Sequence, residues 1–355
     1  MVPLAWAFRL SGHEVTFVAA GSGLAAGDAG LITLDAVPGL TTAHIVAGLA
    51  EAVPDHLTST QNLAAKEMDK LMPLAISIWD RYVDEHVRLA ERVRPDLVVY
   101  DPMFTAGPLA AAKLGVPCVA HAFGIVRFRP EHFQEPPANA AFVRHGLQVP
   151  DRIETIDVAP PSLLEGPPSK WTMRYVPYNG GGVLPDWLLG ESDRPRIAVT
   201  LGTVVPETHG LGEYTRIIEA AGAVDADFVI ATGAEDTSQF GELPPNVRVT
   251  GWVPLGALLR GSAAAIHHGG AGTALTCSAL GVPQLILPNG ADRNINADAL
   301  SARGGALSMR AEDLDASAIE TLLSDHGLRS VAEEVRNEIE SLPTPAELVP
   351  ELEKL

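Results

Sequence analysis

Short, continuously apolar segments alternate with helical patterns along most of the chain, and this alternation limits the possible folds more than any other feature. A strand that is apolar at successive positions is buried on both faces, which is typical of a parallel sheet covered by helices. The series runs twice, before and after a polar break at residues 190–193. The predicted strands are 15–20, 31–34, 97–100, 118–121, 197–201, 228–231, 247–249, 263–267 and 284–287. We therefore expect an α/β protein with two parallel-sheet domains, residues 1–190 and 191–355.

The N-terminal domain opens on a helical pattern at residues 1–10, and the first predicted strand comes after it. In an α/β domain a strand normally precedes the first helix. We therefore expect this domain to have a first strand that the printed sequence does not contain.

Composition excludes several classes of protein. The 355 residues include 25 Lys and Arg against 44 Asp and Glu, a formal net charge of −19, which argues against a nucleic-acid partner because phosphate backbones are bound by clustered cations. Cys118 and Cys277 lie in apolar stretches without zinc-like spacing, which is typical of free thiols in a reducing compartment. The sequence has no run of about 18 apolar residues and no basic segment at its start, so we expect a cytoplasmic protein without a membrane span.

The clearest chemical signal is the segment Ile-His-His-Gly-Gly-Ala-Gly-Thr at residues 266–273, between a predicted strand and a predicted helix. Glycines let a ligand approach the backbone, and a helix start offers free N–H groups and a partial positive charge that suit phosphate. The free N–H groups would be those of Ala271, Gly272 and Thr273. His268 would add one donor, and a bound diphosphate would raise its pKa. The alternative interpretation is a glycine-rich turn.

Other nucleotide chemistries fit less well. The dinucleotide fingerprint G-x-G-x-x-G fails because Leu275 occupies the position of the third glycine, which disfavours a nicotinamide oxidoreductase. The chain also lacks a P-loop, an H-E-x-x-H motif and paired cysteines with metal-binding spacing. The sequence therefore predicts neither a metal site nor a bound cofactor.

Two further strand ends carry candidate binding residues. Thr203 follows the first strand of the second domain, where it could approach the same phosphates from the opposite side, although a structural turn is as good an interpretation. Trp252 follows another strand and could stack on a flat base while the backbone of Val253 reads the edge of that base. A position in the core is the alternative for Trp252.

These segments together resemble the family 1 glycosyltransferases, and most of all the bacterial enzymes that decorate polyketides and other antibiotics. The matching stretches are 173–180, 200–203, 251–255, 267–273, 281–284, 290–292 and 296–297. The resemblance implies the GT-B fold, in which two Rossmann-like domains face a central cleft and the last helix packs back on the N-terminal domain. It also implies a metal-independent, inverting transfer of a sugar from a nucleotide-diphosphate sugar to a small-molecule aglycone. A homodimer is compatible with it.

The resemblance assigns roles to matching residues. The nucleotide and diphosphate would be bound by Thr203, Trp252, Val253, His268, Gly270, Ala271, Gly272 and Thr273. The sugar would be bound by Asp292 and by Arg293, which stands where relatives often carry Gln. Antibiotic-tailoring members commonly use dTDP-deoxysugars, so we expect such a donor. Asp101 would orient a catalytic histidine expected upstream of Met1, and the acceptor pocket would include Met103, His121 and Phe123, of which His121 could equally be a core histidine.

Two other functions stay open at this point. A GT-B sugar-nucleotide epimerase would need additional acid and base groups around the sugar. A non-catalytic protein that only binds nucleotide sugars is compatible with a chain in which no base is identified.

Overall fold

The computed structural model describes residues 1–41, 44, 72–190, 193–202, 212–233, 240–289 and 292–355. These residues form two compact units, one of Met1–Arg174 with Leu342–Leu355 and the other of Tyr175–Ser341. The division comes at residue 174, earlier than the predicted boundary after residue 190. Leu188 explains the difference, because its side chain is only 8% exposed and belongs to a core cluster of the second unit with Ala198 and Val253.

The first unit is built from short strands and helices in alternation. Its elements are α1 (Val2–Leu10), β1 (Thr16–Ala19), β2 (Ile32–Asp35), a helical stretch at residues 72–77, α2 (Val83–Val93), β3 (Val98–Tyr100), α3 (Ala106–Leu114), β4 (Cys118–His121), α4 (Ala140–Arg144), β5 (Glu154–Asp157) and β6 (Trp171–Thr172). Short 3-10 helices lie at Gly21–Ala29, Ile78–Tyr82, Pro130–Gln134 and Pro161–Leu163.

All described strands of the first unit pair in parallel, but they form two sheets. One sheet contains β1 and β2, and the other has the order β3-β4-β5-β6. The core beside the larger sheet contains Leu109, Phe133 and Phe142, all buried. Gly107 of α3 is required there, since a Cβ at this position would lie 2.3 Å from the ring of Tyr100. The absence of that side chain lets α3 pack directly on β3.

The second unit is a single parallel sheet with helices. Its elements are α5 (Asp186–Leu189), β7 (Arg196–Thr200), α6 (Gly212–Ala221), β8 (Asp227–Ala231), β9 (Val247–Thr250), α7 (Leu255–Leu259), β10 (Ala264–His267), α8 (Ala271–Leu280), β11 (Gln284–Ile286), α9 (Arg293–Arg303), β12 (Ala306–Ser308), α10 (Ala316–Ser324) and α11 (His326–Ser341). The strand order is β12-β11-β10-β7-β8-β9. The predicted α/β class with two parallel-sheet domains is confirmed.

The last helix, α12 (Pro345–Leu352), belongs to the first unit. Its Leu348, Val349 and Leu352 are buried, and Glu353 just beyond it lies 2.7 Å from the imidazole of His13. A capping box begins the helix, in which the Thr344 hydroxyl accepts from the Glu347 N–H and the Glu347 carboxylate accepts from the Thr344 N–H. Across the described residues, the structure contains no helix with the length and apolar character needed to traverse a bilayer.

Candidate functional site

The glycine-rich segment joins the end of β10 to the start of α8. Gly270 is the N-cap of α8 and has an extended backbone. Because glycine lacks a side chain, no side-chain group of this residue caps the helix. The carbonyl of Gly270 accepts from the N–H of Ala274 at 3.0 Å. The N–H groups of the three residues before Ala274 therefore precede the first intrahelical bond, and they are the donors that an anion can use.

His267, the last residue of β10, is fully buried and has both ring nitrogens engaged. Its Nδ1 accepts from the N–H of Gly269 at 3.0 Å, and its Nε2 lies 2.9 Å from Oε1 of Gln284. This pair of contacts fixes the tautomer with the proton on Nε2. Burial lowers the pKa of His267 to about 4. His267 is thus a neutral side chain that holds the turn at Gly269, whose φ of +86° suits glycine.

His268 lies next to the free amides with its ring between two glycines. A Cβ at Gly202 would lie 2.9 Å from the ring Cε1, and a Cβ at Gly270 would lie 2.5 Å from Nε2. Gly202 follows β7 and Gly270 follows β10, and these strands are adjacent in the sheet. The ring can therefore occupy this position only because neither neighbour has a side chain.

The environment of His268 is unusual for a polar group. The residue is 8% exposed, and its Nδ1 is buried without a hydrogen-bond partner among the described residues. Burial lowers its pKa to about 3, the nearby His267 and Arg293 act in the same direction, and a hydrogen bond with the Thr200 backbone opposes them. The side chain is therefore a neutral imidazole whose Nδ1 has unused hydrogen-bonding capacity.

The two predicted sugar-binding residues lie at the start of α9, beside the same loop. Asn296 donates from Nδ2 to the carbonyl of Gly269 and to the Asp292 carboxylate, both at 2.9 Å. Arg293 donates to the carbonyl of Asn289 at 2.5 Å, and burial lowers its pKa. The structure thus brings Asp292 and Arg293 to the loop that carries His268.

Trp252 follows β9 and is 58% exposed, so the core alternative is wrong for this residue. Its ring packs against the backbone of Gly180, where a Cβ would lie 2.9 Å from Cζ2. The side chain of Val253, by contrast, is buried in the core. Strand β9 is three strand spacings from β10, so the ends of these two strands, which lead to Trp252 and to the glycine-rich loop, are about 14 Å apart across the sheet.

The sequence alone did not identify Tyr175, Asn179 and Thr276 as site residues. Their side chains connect the segment before α5 to the first turns of α8. The Tyr175 hydroxyl donates to the carbonyl of Gly272 at 3.2 Å, and Asn179 donates to the Thr276 hydroxyl at 3.2 Å. Thr276 in turn donates to the carbonyl of Gly272 at 2.6 Å. These contacts hold α8 in place, and their only sequence signal is the match of residues 173–180 to the glycosyltransferase pattern.

Predicted acceptor-side residues lie at the carboxyl ends of adjacent strands in the first unit. Asp101 follows β3 and accepts from the Met103 N–H at 2.8 Å, a turn contact, while burial raises its pKa. His121 ends β4, is buried, and donates from Nδ1 to the carbonyl of Ala122 at 2.7 Å. Burial lowers the pKa of His121 to about 3, and its Nε2 has no partner among the residues described. Phe123, just beyond it, is exposed.

Two of the predicted binding segments lie partly outside the described residues. Thr203 lies outside the described residues, as do residues 290–291 of the matched segment 290–292. Within the described ranges, no group of three or more His, Cys, Asp or Glu side chains is arranged to hold a metal ion.

Comparison with known families decides between the open classes. Residues 6–202 match the family model for the N-terminal domain of erythromycin biosynthesis protein CIII-like proteins, and residues 215–355 match the model for their C-terminal domain. The chain belongs to the EryCIII-like glycosyltransferase family. Among curated relatives, this EryCIII-like chain is 37% identical to the elloramycin glycosyltransferase ElmGT of Streptomyces olivaceus, over 99% of this chain and 92% of the relative.

Solved structures agree with this assignment. The crystal structure of the glycosyltransferase SnogD from Streptomyces nogalater is 38% identical, with a TM-score of 0.84 over 99% of this chain and 95% of that one. The glycosyltransferase VinC, solved in complex with dTDP, is 31% identical, with a TM-score of 0.80 over all of this chain and 95% of that one. The predicted GT-B fold and the predicted class, a glycosyltransferase of antibiotic biosynthesis, are confirmed for the EryCIII-like chain.

Proposed function

We propose that this glycosyltransferase transfers a deoxysugar from a dTDP-sugar to a polyketide aglycone with inversion at the anomeric carbon and without a bound cofactor or metal. The observation that carries the proposal is the His268 ring, which is buried between Gly202 and Gly270 with unused hydrogen-bonding capacity beside the free amides of α8. The dTDP bound by the similar VinC supports thymidine diphosphate as the leaving group.

The diphosphate side of the reaction follows from the charge at the start of α8. As the bond from the anomeric carbon to the diphosphate oxygen breaks, negative charge grows on that oxygen. The free amides and the N–H of His268 are aimed at this charge, so they stabilise the transition state more than the bound donor. Because the neutral ring supplies only one donor, a bound diphosphate that raises the pKa of His268 enough for the ring to take up a proton from solvent would strengthen the contact further.

The sugar and base sides of the donor have separate anchors. The exposed indole of Trp252 offers a face on which thymine stacks, and the Val253 backbone reads the edge of the base. Asp292 accepts hydrogen bonds from sugar hydroxyls, whereas the Arg293 guanidinium can only donate. A donor sugar with a hydroxyl or carbonyl oxygen opposite Arg293 therefore fits better than one with a protonated amine.

On the acceptor side, the aglycone hydroxyl attacks the anomeric carbon from the face opposite the diphosphate. The new carbon–oxygen bond forms as the bond to the diphosphate breaks, and the hydroxyl proton passes to a base that Asp101 orients. The raised pKa of Asp101 reflects its burial, and a positively charged partner would lower it again.

The test is an activity assay with dTDP- and UDP-deoxysugars and a panel of polyketide aglycones, with mass detection of products and determination of their anomeric configuration. We expect a glycoside with inverted configuration from a dTDP-sugar. Retained configuration would exclude the mechanism. An epimerised sugar nucleotide formed without acceptor would establish an epimerase, and tight dTDP-sugar binding with no product from any pair would favour a non-catalytic binding protein.

Gly270→Ala tests the site without removing a functional group. The new methyl would displace the His268 ring, so we expect kcat to fall by about 10²–10³, as for loss of one transition-state donor. Gly181→Ala is the matched control, because a Cβ there meets no atom within 4 Å. Equal activity of the two variants would mean that the His268 position is unimportant.

A further inference from the structure

The second unit contains a cavity of about 510 Å³ at the amino ends of three neighbouring strands. Arg196 and Asp227, the first residues of β7 and β8, line it together with Asn246, which precedes β9. Gly202, beside His268, lies beyond the other end of β7, roughly 15–20 Å from Arg196 at the rise of an extended chain. The cavity is therefore separate from the diphosphate site.

The two charged residues at the starts of β7 and β8 point to one face of the sheet. Ala198 and Val229 belong to the core cluster that α5 and α7 cover. Each lies two residues beyond a charged residue of the cavity, Arg196 on β7 and Asp227 on β8. Because side chains alternate along a strand, Arg196 and Asp227 lie on the face that these helices cover.

Arg196 is buried without a counter-charge. The residue is only 8% exposed, and a guanidinium remains charged there. It donates from Nη2 to the carbonyl of Gly190 at 3.3 Å, and no carboxylate in the described part of the chain forms an ion pair with it. A Cβ at Gly261 would lie 3.0 Å from Nη1, so the guanidinium lies directly on that turn. Buried guanidinium groups are normally paired, so the partner that Arg196 lacks is an anion.

The other charged groups of the cavity leave it positive. The guanidinium of Arg248 on β9 lies 4.9 Å from the ring centre of Trp187, and it forms no ion pair with any described carboxylate. Asp227 supplies a carboxylate, but this group already forms an ion pair with Arg194. Two guanidinium groups therefore face one carboxylate that has its own partner, and the cavity favours an anion although the chain has a net charge of −19.

Apolar side chains complete the lining and indicate what kind of anion fits. Trp187, Leu243 and Pro245 line the cavity beside the charged groups. A guanidinium binds a carboxylate or a phosphate through parallel hydrogen bonds, and apolar walls accept a ring or a hydrocarbon chain. An inorganic anion would use the guanidinium and leave the apolar walls uncovered, so an organic anion fits the whole cavity better.

We propose that this cavity binds a small organic anion, in which a carboxylate or phosphate group pairs with Arg196 and an apolar body packs on Trp187. The inference goes beyond the proposed sugar transfer and does not depend on it, since no residue of the donor site takes part.

The test is calorimetric titration of the whole chain with benzoate, phenyl phosphate and their uncharged counterpart benzyl alcohol, with and without dTDP. We expect saturable binding of at least one of the two anions, unaffected by dTDP, and no binding of benzyl alcohol. Arg196→Met should weaken anion binding by about tenfold or more, because charge-assisted hydrogen bonds are lost. Arg248→Met, at an exposed position, should weaken it less. Arg329→Met in α11 removes an exposed charge outside the cavity and is the control.

Thermal unfolding without any probe separates a binding role of Arg196 from a structural one. Because an unpaired buried charge is unfavourable, Arg196→Met should melt at the parent temperature or above it. A lower melting temperature would show that the fold itself needs the guanidinium, and it would overturn the proposal.

Four binding results would also overturn it. They are no saturable binding of either anion, equal binding of benzyl alcohol, equal weakening by Arg329→Met and Arg196→Met, and loss of anion binding on addition of dTDP.

Discussion

At the scale of single residues, two adjacent histidines have opposite environments. His267 has partners for both nitrogens, whereas His268 has an unpartnered Nδ1 and lies beside free amides. We expect His268→Ala to lower kcat by about 10²–10³ and to weaken dTDP binding much less, because the donor acts mainly on charge that develops in the transition state. Steady-state kinetics and calorimetry measure the two effects.

His267→Ala is the matched comparison at the neighbouring position. It leaves Gln284 Oε1 buried and unpaired and removes the support of Gly269, so we expect a loss of about 1–3 kcal/mol in the free energy of unfolding. Its effect on kcat should be smaller than that of His268→Ala. Near-normal turnover of His268→Ala together with inactive, folded His267→Ala would reverse the two roles.

Trp252 allows a direct test of base stacking. Because the indole is exposed and lies on the backbone of Gly180, its removal should leave the core intact. We expect Trp252→Ala to weaken dTDP binding by about 1–3 kcal/mol, the range for loss of one base–aromatic stack, with little change in melting temperature. Trp187→Ala is the control in the same unit, since that indole packs partly on the core. A fall in stability with unchanged dTDP affinity in Trp252→Ala would contradict the assignment.

At the scale of elements, the capping box at the start of α12 stabilises the last helix of the first unit. Thr344→Ala removes the capping box. We expect the free energy of unfolding to fall by about 1 kcal/mol and amide exchange in α12 to become faster. Asp315→Ala removes a comparable side-chain cap from α10 in the second unit. We expect each variant to loosen its own helix only. Faster exchange in α12 after Asp315→Ala would show that the two helices unfold together.

At the scale of the whole molecule, the second unit should carry nucleotide binding by itself. A fragment of residues 175–341 keeps Tyr175, Asn179 and Leu188, which hold α8 and the core, and we expect it to bind dTDP with nearly the affinity of the full chain. A fragment of residues 195–341 loses these contacts and should melt at a lower temperature. Calorimetry that finds dTDP binding only in the first unit would contradict the assignment.

The buried histidines also make the second unit sensitive to pH. Burial lowers the pKa of His267 to about 4 and that of His268 to about 3, whereas the pKa of a histidine in the unfolded chain is about 6.5. Between these values the unfolded chain binds more protons, so the free energy of unfolding falls as pH drops from about 6.5 toward 4, on the order of 1.4 kcal/mol per pH unit for each histidine.

Denaturant titrations at several pH values, followed by a probe in the second unit, test this dependence. His267→Gln removes one titrating group, so the pH slope between about 4 and 6.5 should become shallower. Equal slopes for His267→Gln and the parent would show that His267 does not contribute.

Local sequence patterns determined the parts of this protein that depend on neighbours along the chain. Continuous apolar runs predicted most strands of the three described sheets, because burial on two faces requires apolar residues at successive positions, but they did not predict β5, β6 and β12. The short strand–glycine–helix segment at residues 266–273 located the helix start that we propose binds the diphosphate, because free amides there follow from helix geometry alone. The resemblance to family 1 glycosyltransferases rests on several such segments, and it predicted the GT-B fold of the whole chain.

Only the tertiary structure decided features that depend on residues far apart in the chain. The difference between His267 and His268 arises from Gln284, which lies on β11, and from Gly202, which follows β7. The exposure of Trp252 depends on what packs over it, and a tryptophan in a sequence is compatible with core and surface alike. The polar residues 190–193 resemble a domain boundary, yet Leu188 packs in the core of the second unit and Tyr175 bonds to α8, so the division lies after residue 174. Packing between distant segments has no periodic signal in the sequence, so these contacts become visible only when the chain is folded.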